Sequence, residues 1–178
     1  MCSSDLRSFA RKDGGDYIIN GDKLYISNSM QADWMCMLCN TDEDNGPHGN
    51  KSLIVVELEA PGISRQKLKK LGLHCSDTGH IHFDDVRVPE RNRIGEEGRG
   101  FIYQMEQFQE ERLYAVARTV TFLEDALEET IDYTRQRTAF GRPILENQVM
   151  HYKMAEMQSQ LEAIRALLYR ATEQYVDG

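Results

Sequence analysis

The sequence predicts an α+β protein: an antiparallel β-barrel or sandwich, then two long antiparallel helices of an incomplete four-helix bundle. Three observations carry this. Up to about Pro89, short apolar runs alternate with turn-forming clusters. From Phe101 onward, apolar residues recur at helical spacing. That pattern is interrupted once, around Gly141 and Pro143. The expected domains are residues 1–97 and 98–178.

In the first part, Asn20-Gly21 is the strongest short hairpin signal, because both positions tolerate the positive φ of a type I′ turn. It predicts a hairpin between Tyr17-Ile18-Ile19 and Leu24-Tyr25-Ile26. Trp34–Leu38, Ser52–Glu57 and His80–Val88 read as further strands. Between them lie Asp-, Asn- and Gly-rich turns at Thr41–Asn50 and the Ala60-Pro61-Gly62 corner. No helical pattern separates the strands, which favours an antiparallel arrangement. Gly95, Gly98 and Gly100 lack the order and setting of a dinucleotide fingerprint, and Glu96 and Glu97 would repel phosphate. A flexible lead-in to the first helix is expected there.

That helix is predicted over about residues 100–137, roughly 55 Å at ~1.5 Å per residue. Its stripe is Phe101, Met105, Phe108, Tyr114, Ala117, Val120, Leu123, Leu127 and Ile131. Arg135 and Arg137 suit its last turn, Gly141 a C-cap region, and Pro143 prevents continuation. A second helix is expected from about Asn147 to Val176, its stripe running Met150, Met154, Met157, Leu161, Ile164 and Leu168. The short connection makes the two antiparallel, and such a pair cannot bury all its apolar surface alone.

Composition narrows the function. The formal charge of −8 argues against nucleic acid as a partner, since a phosphate backbone needs a basic face. The apolar runs are too short for a membrane span. Residues Met1 to Asp5 lack the pattern of a signal peptide. Cys36 and Cys39 have C-x-x-C spacing, but on a strand they face opposite sides and no second pair follows. Structural thiols are expected, and the cysteines fit a reducing compartment. His80 and His82 share a strand face; with only His74 nearby, satisfied strand histidines are expected rather than a metal site.

Several phrases, in order across residues 13 to 178, resemble the acyl-CoA dehydrogenase family. They are Asp16-Tyr17-Ile18-Ile19-Asn20-Gly21-Asp22-Lys23-Leu24-Tyr25-Ile26-Ser27-Asn28, then Asp77-Thr78 with Phe83-Asp84-Asp85-Val86-Arg87-Val88-Pro89. Glu110-Glu111-Arg112-Leu113, Arg137-Thr138-Ala139-Phe140-Gly141-Arg142-Pro143 and Asn147-Gln148 follow. The resemblance implies a middle β-domain and the first half of a C-terminal four-helix domain, from a homotetramer or homodimer. It implies FAD as cofactor, an acyl-CoA substrate and an electron-transfer flavoprotein as acceptor. The implied compartment is the mitochondrial matrix in a eukaryote or the cytoplasm in a bacterium.

The implied reaction removes an α-proton and a β-hydride from a fatty-acyl thioester, leaving a trans-2-enoyl product. A carboxylate must take the α-proton from a weak carbon acid. The long-chain and isovaleryl-CoA dehydrogenases take it from this helix, in a phrase like Glu111-Arg112-Leu113. That makes Glu111 the expected base and places Arg112 toward acyl-CoA; Glu110 is the local competitor. Tyr25, Ile26 and Ser27 match the strand that meets the flavin ring, where the family more often has Trp or Phe and Thr. Arg137, Phe140 and Gln148 match positions that reach the FAD of a neighbouring subunit, although Arg137 would also compensate a helix C-terminus. Ser4 is the candidate acyl-CoA contact at the N-terminal edge, where Ser3 replaces the family's glycine and the stretch Leu6 to Lys12 is short. Two other readings stand: an acyl-CoA oxidase, and a non-catalytic helical interaction or scaffold module.

Overall fold

The structure, a computed structural model, describes residues 7–178. Ser4 lies outside the described residues. In chain order the elements are β1 (Phe9–Asp13), β2 (Asp16–Ser27), β3 (Trp34–Asn40), a short α1 (Gly46–Gly49), β4 (Lys51–Glu57), β5 (Ile63–Lys67), β6 (Thr78–Pro89) and β7 (Arg93–Ile94). Then come α2 (Gly100–Gln136), β8 (Thr138–Ala139), β9 (Arg142–Pro143) and α3 (Gln148–Asp177). The chain divides into two compact units, one up to Met105 and the other Glu106–Gly178, so the division falls inside α2.

In the first unit seven strands form one sheet, in the order β5-β6-β2-β1-β3-β4-β7. Neighbours are antiparallel except β1 and β3, which meet in parallel at Phe9 and Asn40. Ala10, Tyr17, Ile19, Met37, Ile54, Val56, Ile81, Phe83, Val86 and Val88 join one core cluster, each 3% exposed or less. At about 1.5–3 kcal/mol for each large apolar side chain fully buried, this cluster is the main stabilising element of the unit.

The hairpin is not where the Asn20-Gly21 signal put it. Asn20 and Gly21 lie in the middle of β2, and the chain reverses instead at Gly14-Gly15, between paired Asp13 and Asp16. Gly14 takes the positive φ that a two-residue hairpin needs at its first central position. Asn20 is held in the strand by β6: its side-chain amide donates to the Asp85 carboxylate (2.9 Å), and its side-chain carbonyl accepts the Asp85 backbone amide (2.9 Å). Two residues of β6, Asp84 and Asp85, face Asn20 alone, which is a β-bulge. A second bulge follows on β2 itself. Leu24 and Tyr25 together face His80, between the pairs Lys23–Ile81 and Ile26–Gly79.

The glycines before α2 are tightly packed rather than a flexible lead-in. A Cβ on Gly98 would come within 2.6 Å of the Gly49 carbonyl oxygen, and one on Gly100 within 2.7 Å of the Ser52 backbone. The Ser52 hydroxyl also accepts the Gly98 amide at 3.0 Å. Close approach therefore accounts for these glycines.

In the second unit α2 and α3 run antiparallel. Tyr175 meets Glu110 and Arg165 meets Glu124, so higher positions on one helix face lower positions on the other. The buried residues are Val120, Leu127 and Thr134 on α2, and Met154 and Leu161 on α3. This seven-residue recurrence makes a seam narrower than the predicted stripe. Leu123, Met157 and Ile164 of that stripe are exposed. Gly141 is not a helix C-cap either. With Phe140 it forms the turn between β8 and β9, both at positive φ (55° and 82°), as a type I′ turn requires.

Candidate functional site

The β2 bulge decides how the candidate flavin edge is presented. Tyr25 has φ 61°, a left-handed conformation uncommon for an aromatic residue, and its ring is 64% exposed. Ile26 packs against the core, while Ser27 is exposed and pairs with Thr78. Tyr25 and Ser27 thus stand out on the same side of their segment, with Ile26 as the anchor beneath.

Upstream, the Asp22 carboxylate receives His80 Nε2 at 2.7 Å and His82 Nδ1 at 2.9 Å on one oxygen. The two histidines do share a face, and they use it to hold Asp22 across the ladder. Those bonds, His82 first, lower the Asp22 pKa. No group of three or more His, Cys, Asp or Glu among the described residues is arranged to hold a metal ion.

Downstream, the turn after Ser27 is fastened by Asp77 and Arg65. Asp77 accepts the Met30 amide (2.7 Å), the Gln31 side-chain amide (2.9 Å) and the Ser29 hydroxyl (3.3 Å). The Met30 bond, then those from Gln31 and Ser29, hold the Asp77 carboxyl below its ordinary range. The Arg65 guanidinium donates to the carbonyls of Ser29 (3.2 Å) and Ala32 (3.3 Å). Sequence reasoning named Asp77 only within a phrase and missed Arg65. Their partners lie 47 and 36 residues away, for Met30 and Ser29, so no local pattern could reveal them.

On α2 the two neighbouring carboxylates have different surroundings. Glu110 accepts the Tyr175 hydroxyl from α3 at 2.8 Å, a bond that raises the Tyr175 pKa. Glu111 is exposed and accepts the Gln107 side-chain amide, one turn earlier, at 2.7 Å. Arg112 lies over the Phe108 ring at 5.8 Å. This cation–π contact is worth about 0.5–1 kcal/mol at an exposed site.

Arg137 continues the helical bonding one step past α2, its amide donating to the Tyr133 carbonyl (2.9 Å). Its own carbonyl accepts the Ile144 amide (2.8 Å), which closes the β8–β9 hairpin. At the hairpin tip Phe140 is fully exposed. Gln148, also exposed, opens α3 and donates to the Tyr152 hydroxyl at 2.6 Å. Of the C-x-x-C pair, Cys36 is exposed and Cys39 is buried.

The fold is that of a two-unit α+β protein, one unit a bulged sheet and the other a helix pair. Family models described as the acyl-CoA dehydrogenase middle domain and the acyl-CoA dehydrogenase C-terminal domain match residues 3–86 and 98–178. An acyl-CoA dehydrogenase of Bacillus subtilis is 39% identical, covering 99% of this chain and 46% of its own length. The mitochondrial long-chain specific acyl-CoA dehydrogenase of Sus scrofa is 36% identical, over 92% of this chain and 38% of its own. The crystal structure of an acyl-CoA dehydrogenase from Geobacillus kaustophilus superposes with a TM-score of 0.94 at 40% identity, covering 99% of this chain and 48% of that one. The chain belongs to the acyl-CoA dehydrogenase family, and it spans about half the length of the curated relatives it matches.

Proposed function

We propose that the whole protein dehydrogenates a fatty-acyl-CoA thioester between its α and β carbons, using FAD and passing electrons to an electron-transfer flavoprotein. The observation that carries this reading is the contrast on α2: Glu110 is engaged by Tyr175, whereas Glu111 bonds only within its own helix face and is exposed. A carboxylate so presented can accept an α-proton once substrate and the rest of the protein exclude water. Bound FAD would supply the acceptor for the β-hydride. Tyr25 would pack on the flavin ring and Ser27 would donate a hydrogen bond at its edge, with Ile26 fixing both from below. The exposed Tyr25 ring, on a bulge of the kind common beside active sites, supports this fit. Arg112 would face acyl-CoA, and so would Ser4. Arg137, Phe140 and Gln148 would reach the FAD of a second subunit in a homodimer or homotetramer. A fully exposed aromatic on a turn tip suits that reach.

The test is the rate of flavin reduction by acyl-CoA in the full-length protein. Glu111→Gln should lose about 10²–10⁴-fold or more, because it keeps size and removes basicity. Glu110→Gln should cost far less in rate, since it lies ~100° around the helix. Parental rates in both variants would move the base elsewhere. Reoxidation by an electron-transfer flavoprotein but not by oxygen would separate a dehydrogenase from an oxidase.

A further inference from the structure

Asp77 stands apart from every residue assigned above to flavin, acyl-CoA or proton transfer, yet it is 9% exposed and carries three hydrogen bonds. All three donors, Ser29, Met30 and Gln31, come from the single turn that follows Ser27. Oδ2 takes the Met30 amide and the Ser29 hydroxyl, and Oδ1 takes the Gln31 side chain. The backbone repeats the connection: Asn28 donates its amide to the Asp77 carbonyl at 3.2 Å, and Ser27 pairs with the next residue, Thr78. Ser29 is wholly buried, and a Cβ on Gly79 would stand 2.2 Å from its hydroxyl. Arg65 grips the same turn by its Ser29 and Ala32 carbonyls.

This turn bounds a strained segment. Tyr25 and Asn28 both hold left-handed backbone, at φ 61° and 58°. Non-glycine residues keep such conformations only where the surrounding structure over-determines them. The bulge opposite His80 fixes the segment at one end, and the Asp77 carboxylate fixes it at the other. We infer that Asp77 is a positioning residue, holding the 28–32 turn so that Tyr25 and Ser27 keep one orientation toward the flavin. The inference rests on the flavin reading of Tyr25 and Ser27.

The experiment uses the full-length holoenzyme with Asp77→Asn and Gln31→Glu, and palmitoyl-CoA and butyryl-CoA as reductants. Asp77→Asn puts an amide NH₂ against groups that are all donors. Gln31→Glu, at an exposed position, sets a second carboxylate against the first. Both variants should alter the visible flavin absorption bands and slow flavin reduction about ten- to a hundredfold, the scale of a misplacement near 1 Å. Asp77→Glu should not restore the parental spectrum, because its extra methylene moves the carboxylate. Parental bands and rates in folded Asp77→Asn or Gln31→Glu protein would overturn the inference, even if the unfolding midpoint falls. If Asp77→Asn does not fold, Gln31→Glu decides alone. Tyr25→Ala separates the two levels: unchanged flavin content and spectrum in that variant would sink the flavin reading and this inference with it. A changed Tyr25→Ala spectrum beside parental behaviour in Gln31→Glu would sink only this inference.

Discussion

The two units solve the burial problem to different depths. The sheet unit closes over a core whose largest side chains, Tyr17, Phe83, Ile19 and Met37, are essentially inaccessible. The helix unit buries one seam and leaves Tyr114, Phe122, Leu167 and Tyr169 more than half exposed. Both have ordinary local structure, so helix or strand formation does not separate them. What separates them is how many elements meet: seven strands enclose a volume, and two helices touch along a line. A lone helix pair must find further apolar surface to cover its remaining faces.

Core truncations should break or confirm that contrast with the largest effect. In the 178-residue chain, Phe83→Ala should cost about 3–5 kcal/mol, the usual range for removing a buried aromatic. Trp34, the single tryptophan, lies in the sheet unit, so its fluorescence in urea reports that transition. Leu161→Ala, on the seam, should cost about 2 kcal/mol, the low end for a buried leucine, and should shift the helical circular dichroism instead. Phe122→Ala, with its ring 60% exposed under Arg118 at 5.7 Å, should stay within about 1 kcal/mol. Equal losses at Phe83 and Phe122 would erase the distinction.

Acid sharpens it next. The Asp77 carboxyl titrates below its ordinary value in the folded state, so it contributes stability above the unfolded pKa. That contribution is lost as pH falls through the folded pKa, in the window below about pH 4. The Trp34 transition should therefore lose stability in that window, and Asp77→Asn should flatten the dependence. An unchanged slope would mean that other carboxylates govern acid unfolding.

The smallest effect concerns the thiols. Burial pushes the Cys39 thiol up to about 12, and it also raises the Cys36 thiol, which is nevertheless exposed. In native protein at pH 8, alkylation followed by mass spectrometry should, among the described cysteines, label Cys75 first, Cys36 more slowly and Cys39 only after unfolding. Early labelling of Cys39 would mean that the sheet opens locally.

Sequence reading succeeded where periodicity is long and failed where a short signal met a distant partner. Both long helices were legible because a stripe of residues repeats through roughly five to eight turns, and chance does not imitate that. Their buried seam was not legible, since the stripe takes in apolar positions three and four apart while the two helices bury positions seven apart, Thr134 among them. β-branched and apolar runs put strands at Trp34–Leu38, Ser52–Glu57 and His80–Val88, and the strands there run Trp34–Asn40, Lys51–Glu57 and Thr78–Pro89. β1 and β5 were missed, because Arg11-Lys12-Asp13 and Ser64-Arg65-Gln66-Lys67 are polar and three of the five residues in each strand are exposed. Asn20-Gly21 misled for a related reason: the dipeptide signals backbone permissiveness, and Asp85, 65 residues away, uses it for a bulge. Tyr25, Ile26 and Ser27 became flavin candidates through their phrase, while the fastening of their turn depends on contacts no window spans.

The bulge at Leu24 and Tyr25 acts on this strand as an inserted base acts on a reading frame. Ahead of it, the odd-numbered residues Tyr17, Ile19 and Lys23 lie inside; behind it, the even-numbered Ile26 packs inward. Strict alternation from Lys23 would have driven Tyr25 into the core and turned Ile26 out to water. The message carried by Tyr25 and Ser27 therefore stays in phase because the strand absorbs the extra residue as a bulge. Deleting Leu24 would remove the bulge rather than the phase: Tyr25 alone would face His80, and Ile26 and Ser27 would keep their partners Gly79 and Thr78.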